Sequence, residues 1–178
     1  MSKTRMFFQL FCALVCAALA WIWSEAAQAQ VVAFGASNVA GYGVSSSDAF
    51  PAQLEGMLKA KGYNVNVQNA GVSGNTTTDM LNRVDSDIPA GTKVVILDTS
   101  GGFFNDARNG ISREQGRADM GAIVAKLKAR GIKIVPVTSI GILPSDRQAD
   151  GIHATAEGHR IIASELLPRV AGALSRAH

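Results

Sequence analysis

Val31-Val32-Ala33-Phe34-Gly35-Ala36-Ser37-Asn38-Val39-Ala40-Gly41-Tyr42-Gly43 joins a short apolar run to a glycine-rich stretch that carries one serine near its start. Four apolar residues are too few for a helix and read as a buried strand that Gly35 ends. A glycine-rich loop directly after a first strand invites a phosphate-binding reading, and the spacings exclude it. No Lys-Ser/Thr pair follows the second glycine, as a P-loop requires. Gly41-Tyr42-Gly43 has Ser46 where a dinucleotide fingerprint needs glycine, and it lies too far past the strand. The Gly-x-Ser-x-Gly elbow fails as well, because Val39 occupies its last position. What survives is Ser37, placed at the carboxyl end of the first strand.

Outward from this stretch, strand and helix patterns alternate. Phe50 to Lys61 has Pro51 in its first turn, Leu54, Met57 and Leu58 on one face, and Gly62 as its stop. Val65 and Val67 alternate with asparagine as strand two, and Lys93-Val94-Val95-Ile96-Leu97 is strand three. Met80, Leu81 and Val84 between them mark a short helix. Ser112-Arg113-Glu114-Gln115 has the capping-box pattern and opens a helix carrying Met120, Ile123, Val124 and Leu127, ended by Gly131. Ile132 to Val137 is strand four, whose Pro136 points to a sheet edge or an early end. A last helix carries Ile161, Ile162, Leu166, Val170 and Leu174, with a bend expected at Pro168. Alternation at this spacing predicts an α/β domain with a central parallel sheet of four to five strands, covered on both faces. Functional groups in such sheets gather beyond the strands' carboxyl ends.

The chain has 178 residues, enough for one domain. Charged residues make up 17% and the apolar set 47%, which excludes a disordered or collagen-like chain. The formal charge of +3 is spread without a basic run, so nucleic acid is not an expected partner. The first residues read as a secretory signal peptide: Lys3 and Arg5, an apolar run from Met6 to Trp23 broken only by Gln9 and cysteines, then Ala27-Gln28-Ala29. Cleavage is expected after Ala29, leaving a domain over 30–178 that is periplasmic or secreted and has no membrane span. An uncleaved anchor is the rival, since the run approaches the ~17 residues that span a bilayer. A lipid on Cys16 is disfavoured, because Val15 stands where a small residue is wanted. Both cysteines, Cys12 and Cys16, fall in this segment, so neither disulfides nor thiol chemistry is expected downstream.

A nucleophilic serine needs a base, and the base needs an orienting acid. The chain has three histidines. His178 is terminal, and His159 lies inside the last helical pattern, where a half-exposed position is expected. His153 lies in Asp150-Gly151-Ile152-His153, just before that helix. Three residues' separation lets a carboxylate reach imidazole Nδ1 in a tight turn, leaving Nε2 for the serine. Asp-x-x-His alone is common, and a turn with a helix-start Asp is its plain reading. An oxyanion also needs donors. Gly74, in Ser73-Gly74-Asn75-Thr76 after strand two, could present an unobstructed N–H, and Asn105, in Gly101-Gly102-Phe103-Phe104-Asn105-Asp106 after strand three, its amide. Ordinary βα-turn chemistry explains the glycines of either loop taken singly.

Ser, Gly, Asn and Asp/His, carried in that order by four loops, resemble the SGNH (GDSL) hydrolase family over essentially the whole chain after the leader. The resemblance implies a flavodoxin-like three-layer α/β/α sandwich that hydrolyses esters or thioesters without metal or other cofactor. It implies Ser37 as nucleophile and first oxyanion N–H, Gly74 and Asn105 as the further donors, and Asp150 and His153 as the remaining triad members. Ala154-Thr155-Ala156-Glu157-Gly158-His159 continues the last block much as in family members. Ala36 departs from the family, which has Asp beside the nucleophile. Phe103-Phe104 also departs, separating Gly102 from Asn105 where one residue is usual; a bulge of the two rings out of the loop would keep Asn105 within reach. So few residues separate strand four from Asp150 that a fifth strand has little room.

The expected function is a serine esterase acting on a small-molecule acyl or acetyl ester or thioester. Its rival is a scaffold of the same family that binds a glycan or lipid with weak or no turnover. A metal-dependent hydrolase using His153, His159, Asp150 and Asp106 is a distant third, because no spacing among them is diagnostic.

Overall fold

The computed structural model describes residues 31–138 and 142–175; the leader and its cleavage site lie outside them. Four parallel strands form one sheet in the order β2-β1-β3-β4: β1 (Val31–Gly35), β2 (Val67–Gly71), β3 (Val94–Asp98) and β4 (Lys133–Val137). Val31 is level with Val67 on one side and Val94 on the other, and Val94 with Lys133. All four carboxyl ends therefore share one edge.

Side chains alternate across each strand, and the two sets build separate cores. Val31, Ala33, Val94 and Ile96 pack under α2 (Phe50–Ala60) and α6 (Ala156–Ser175), through Leu54, Leu58, Leu166 and Val170. Val32, Phe34, Val95 and Leu97 face α3 (Thr77–Asp87) and α5 (Arg113–Ala129), through Met80, Val84, Ile123 and Leu127. The central strands β1 and β3 are buried along their whole length, as a doubly covered parallel sheet requires. Pro136, which cannot donate to a ladder, sits on the edge strand β4.

Several elements differ in detail from expectation. Strand two begins at Val67 rather than at Val65 and runs on to Gly71. Ser112 caps α5 by accepting from the Gln115 N–H at 3.1 Å, but the reciprocal capping box is at Thr76 and Asp79 on α3. Helix α6 runs through Pro168 to Ser175. Among the described residues the sheet stops at four strands. After β4 the chain makes a 3₁₀ turn at Pro144–Asp146 and one antiparallel bridge between Arg147 and Ala154.

Two further helices stand at the carboxyl edge: α1 (Ser37–Ala40) after β1, and α4 (Gly101–Arg108) after β3. Gly71 lets α1 lie against β2, because a Cβ there would come within 2.1 Å of the Ala40 nitrogen.

Candidate active site

Ser37 is the first residue of α1 and stands where β1 ends. Its Oγ is 2.9 Å from His153 Nε2, and His153 Nδ1 is 2.6 Å from Asp150 Oδ2. Asp150 holds the turn that makes this possible: its Oδ1 accepts the N–H groups of Ile152 (2.9 Å) and His153 (3.0 Å). Gly151, at φ +69°, supplies the left-handed residue that the turn needs. The hydrogen bond to the His153 ring, then the backbone N–H groups of His153 and Ile152, hold the Asp150 carboxyl well below the usual carboxylate range.

The loop is fastened to the serine's own helix. Asn38 Oδ1 accepts the Ala154 N–H at 3.0 Å and its Nδ2 reaches the Ile152 carbonyl at 3.4 Å. Gln148 Nε2 donates to the carbonyls of Tyr42 (2.7 Å) and Ala154 (2.8 Å). The Tyr42 ring lies 4.5 Å from the imidazole, tilted by 37°. Sequence reasoning passed over Asn38 and Gln148. Asn38 follows Ser37 directly, and that adjacency was the only signal.

Gly74 has a φ of +84° and open space where a side chain would point. Asn105 Nδ2 donates to the Asn75 carbonyl at 2.8 Å, so the amide is tied to the Gly74 loop and keeps a second N–H. Ser37, Gly74, Asn105 and His153 line one cavity of about 430 Å³, together with Tyr42 and Phe104. The expected bulge at Phe103-Phe104 is absent. Both residues lie in the regular helix α4, which accommodates the extra residue, and Asn105 lines the cavity.

Two networks, one half-buried and one buried, position these loops. Arg83 donates to the Gly35 carbonyl (2.8 Å), the Ala70 carbonyl (2.9 Å) and Asn75 Oδ1 (2.6 Å), with its guanidinium 4.3 Å over the Phe34 ring. It thereby joins the ends of β1 and β2 to the glycine loop. Asp106, 2% exposed, accepts the Thr77 N–H and hydroxyl, both at 2.8 Å, and locks α4 to the start of α3.

His159 is not half-exposed. It is fully buried on α6 against Phe50, whose N–H its Nδ1 accepts at 3.3 Å. Burial pushes its imidazole down to about 4. The four residues weighed as metal ligands are thus divided between different tasks. Among the described residues no group of three or more His, Cys, Asp or Glu is arranged to hold a metal ion.

A parallel α/β sandwich with serine, imidazole and carboxylate in line beyond its strand ends defines a class of hydrolase scaffolds. The chain belongs to the GDSL-like lipase/acylhydrolase family, whose profile matches residues 33–149 and so stops just short of Asp150 and His153. It is 28% identical over 120 residues to the esterase TesA of Pseudomonas aeruginosa, a match that spans 67% of this chain and 59% of that protein. The crystal structure of TesA superposes with a TM-score of 0.67 at 21% identity, over 83% of this chain and 99% of that one. AlinE4, an SGNH-hydrolase family esterase, superposes with a TM-score of 0.59 at 27% identity, over 83% of this chain and 97% of its own.

Proposed function

We propose that the protein is a serine esterase that cleaves acyl or acetyl esters or thioesters of small molecules through an acyl-enzyme. The observation that carries this reading is the continuous relay from Ser37 Oγ through His153 to Asp150, at 2.9 and 2.6 Å, facing a cavity with Gly74 and Asn105 on its wall. Ser37 attacks the carbonyl while His153 Nε2 takes its proton. Asp150 keeps the imidazole in the tautomer that accepts there, and stabilises the imidazolium that forms. The N–H groups of Ser37 and Gly74 and the remaining N–H of Asn105 receive the oxyanion. His153 then returns the proton to the leaving alcohol or thiol, and water, activated by the same imidazole, releases the acid. This sequence needs no metal.

Labelling by a fluorophosphonate tests the assignment. A single adduct on Ser37, lost in Ser37→Ala and His153→Ala, is expected. A protein that resists labelling yet binds a glycan or lipid would instead be a binding scaffold.

The leader reading places this chemistry outside the cytoplasm. No helix among the described residues is long and apolar enough to cross a membrane. Mass spectrometry of protein from the native envelope is expected to find a chain starting at Gln30; an intact Met1 chain in the membrane pellet would overturn export by cleavage.

A further inference from the structure

The cavity at Ser37 has a neighbour. A second hollow of about 540 Å³ lies on the other side of Phe104, which lines both. Arg108 and Arg147 line the first, and Arg113 and Arg117 the second. The one carboxylate on either wall is Asp106, which is buried with both oxygens engaged by Thr77. Glu114, exposed on the first turn of α5, lines neither hollow. Apart from buried Asp106, the Asp, Glu, Lys and Arg side chains on the two walls are all arginines, in a cleft with apolar sides where fields are focused.

Arg108 is the best placed of the four. It is one turn beyond Phe104 on α4, and its guanidinium sits 5.2 Å from the centre of that ring. Among the described residues it makes no ion pair. A guanidinium steered by an aromatic face keeps its fork of donors available and loses little freedom when it engages an anion. Carboxylate and phosphate match that fork with two parallel hydrogen bonds.

We propose that Arg108, with Arg113 and Arg117 beyond it, forms a subsite for an anionic group of the substrate. The favoured substrates are then esters that bear a carboxylate or phosphate away from the scissile carbonyl. The inference deepens the esterase reading and rests on it for the word substrate, whereas the anion site itself can be tested without turnover.

Ser37→Ala protein is titrated calorimetrically with two matched pairs. One is p-nitrophenyl hexanoate against the p-nitrophenyl monoester of adipic acid; the other is phenyl acetate against p-acetoxyphenyl phosphate. At least one charged member is expected to bind about tenfold tighter than its neutral match, the worth of one charge-assisted hydrogen bond. The advantage is expected to shrink as salt is raised from about 0.02 M to about 0.5 M, to survive in part in Arg108→Lys, and to vanish in Arg108→Glu. An advantage on the adipate pair puts the anion on the acyl side; one on the phosphate pair puts it on the leaving group. Equal affinities within both pairs, or an advantage untouched by Arg108→Glu, would overturn the subsite. Wild-type turnover of all four esters, neutral and charged, is measured separately. Its absence beside tight anion binding would remove the esterase reading and leave the anion site standing.

Discussion

Asp98 Oδ2, at the end of β3, accepts the backbone N–H of Ala36, the residue before the candidate nucleophile, at 3.3 Å. Its other oxygen accepts the N–H groups of Ser100 (2.8 Å) and Gly101 (2.9 Å), so one carboxylate, 3% exposed, ties the serine loop to the start of α4. The space beside Ala36 is already occupied by this group: a Cβ on Gly35 would lie 2.3 Å from Asp98 Cβ, and one on Gly101 2.4 Å from Oδ2. A carboxylate reaching in from the neighbouring strand β3 thus stands beside Ala36, the position at which the resemblance drawn from the sequence implies an Asp in the serine loop itself.

The two positions are therefore expected to be coupled. Asp98→Ala leaves buried N–H groups unpaired and should destabilise the fold by about 1–3 kcal/mol. Ala36→Asp alone should also destabilise, because it crowds a second carboxylate against the first. The double variant should be better than the sum of the two, in stability and in kcat. Strict additivity in denaturant melts and ester turnover would show that the two sites do not share one role.

Asn105→Ala tests the third oxyanion donor. Removing one such donor typically lowers kcat by about 10²–10³. The loss should fall on kcat with KM little changed, because the donor meets charge that develops only in the transition state. A decrease below about threefold in steady-state turnover of a short aryl ester, far short of a donor's usual worth, would exclude Asn105 from the oxyanion site.

Much of this arrangement was legible in the residues, and the exceptions share a cause. β-Branched runs placed the strands, and Ser37, Gly74, Asn105, Asp150 and His153 each fell at a strand end or before the last helix, where a parallel sheet collects its functional groups. Helix α4 was not legible, because Gly101-Gly102 is poor helix sequence. Its anchors lie far away in the chain, Asp106 on the Thr77 N–H and hydroxyl and Asn105 on the Asn75 carbonyl, so tertiary context decides against local propensity. The burial of His159 was hidden for a similar reason. Its Nδ1 serves the Phe50 N–H at the start of α2, a contact across 109 residues of chain.

Asp150→Asn tests the orienting acid. An amide at this position can hold the turn but can present N–H to Nδ1, favouring the tautomer that cannot take the proton of Ser37. A fall in kcat of about 10²–10⁴ is expected, with fluorophosphonate labelling slowed in parallel. Because the Asp150 carboxyl is held well below the usual range, its protonation should not limit the wild-type rate in ordinary mildly acidic buffers. Unimpaired turnover in Asp150→Asn would mean that His153 is oriented by its other contacts.

His159 makes the stability of the fold depend on pH in a definite direction. The folded imidazole is pushed down to about 4 by burial, against about 6.5 in an unfolded chain. Its Nδ1 accepts from Phe50 and its Nε2 finds no partner among the described residues, so a second proton would be buried without an acceptor. Between these two values the unfolded state binds the proton and the folded state does not. The contribution is therefore complete above about pH 6.5 and is lost as pH falls towards 4, with a total of order 3 kcal/mol. Urea melts of the wild type should show a midpoint that declines over this window. His159→Gln, which retains an acceptor for the Phe50 N–H but cannot titrate, should start lower at pH 7 and decline less steeply. Because His159 touches α2 and not Ser37, the variant should keep most of its esterase rate at neutral pH. Parallel pH profiles for the two proteins would show that another group, not His159, sets the acid limit of the fold.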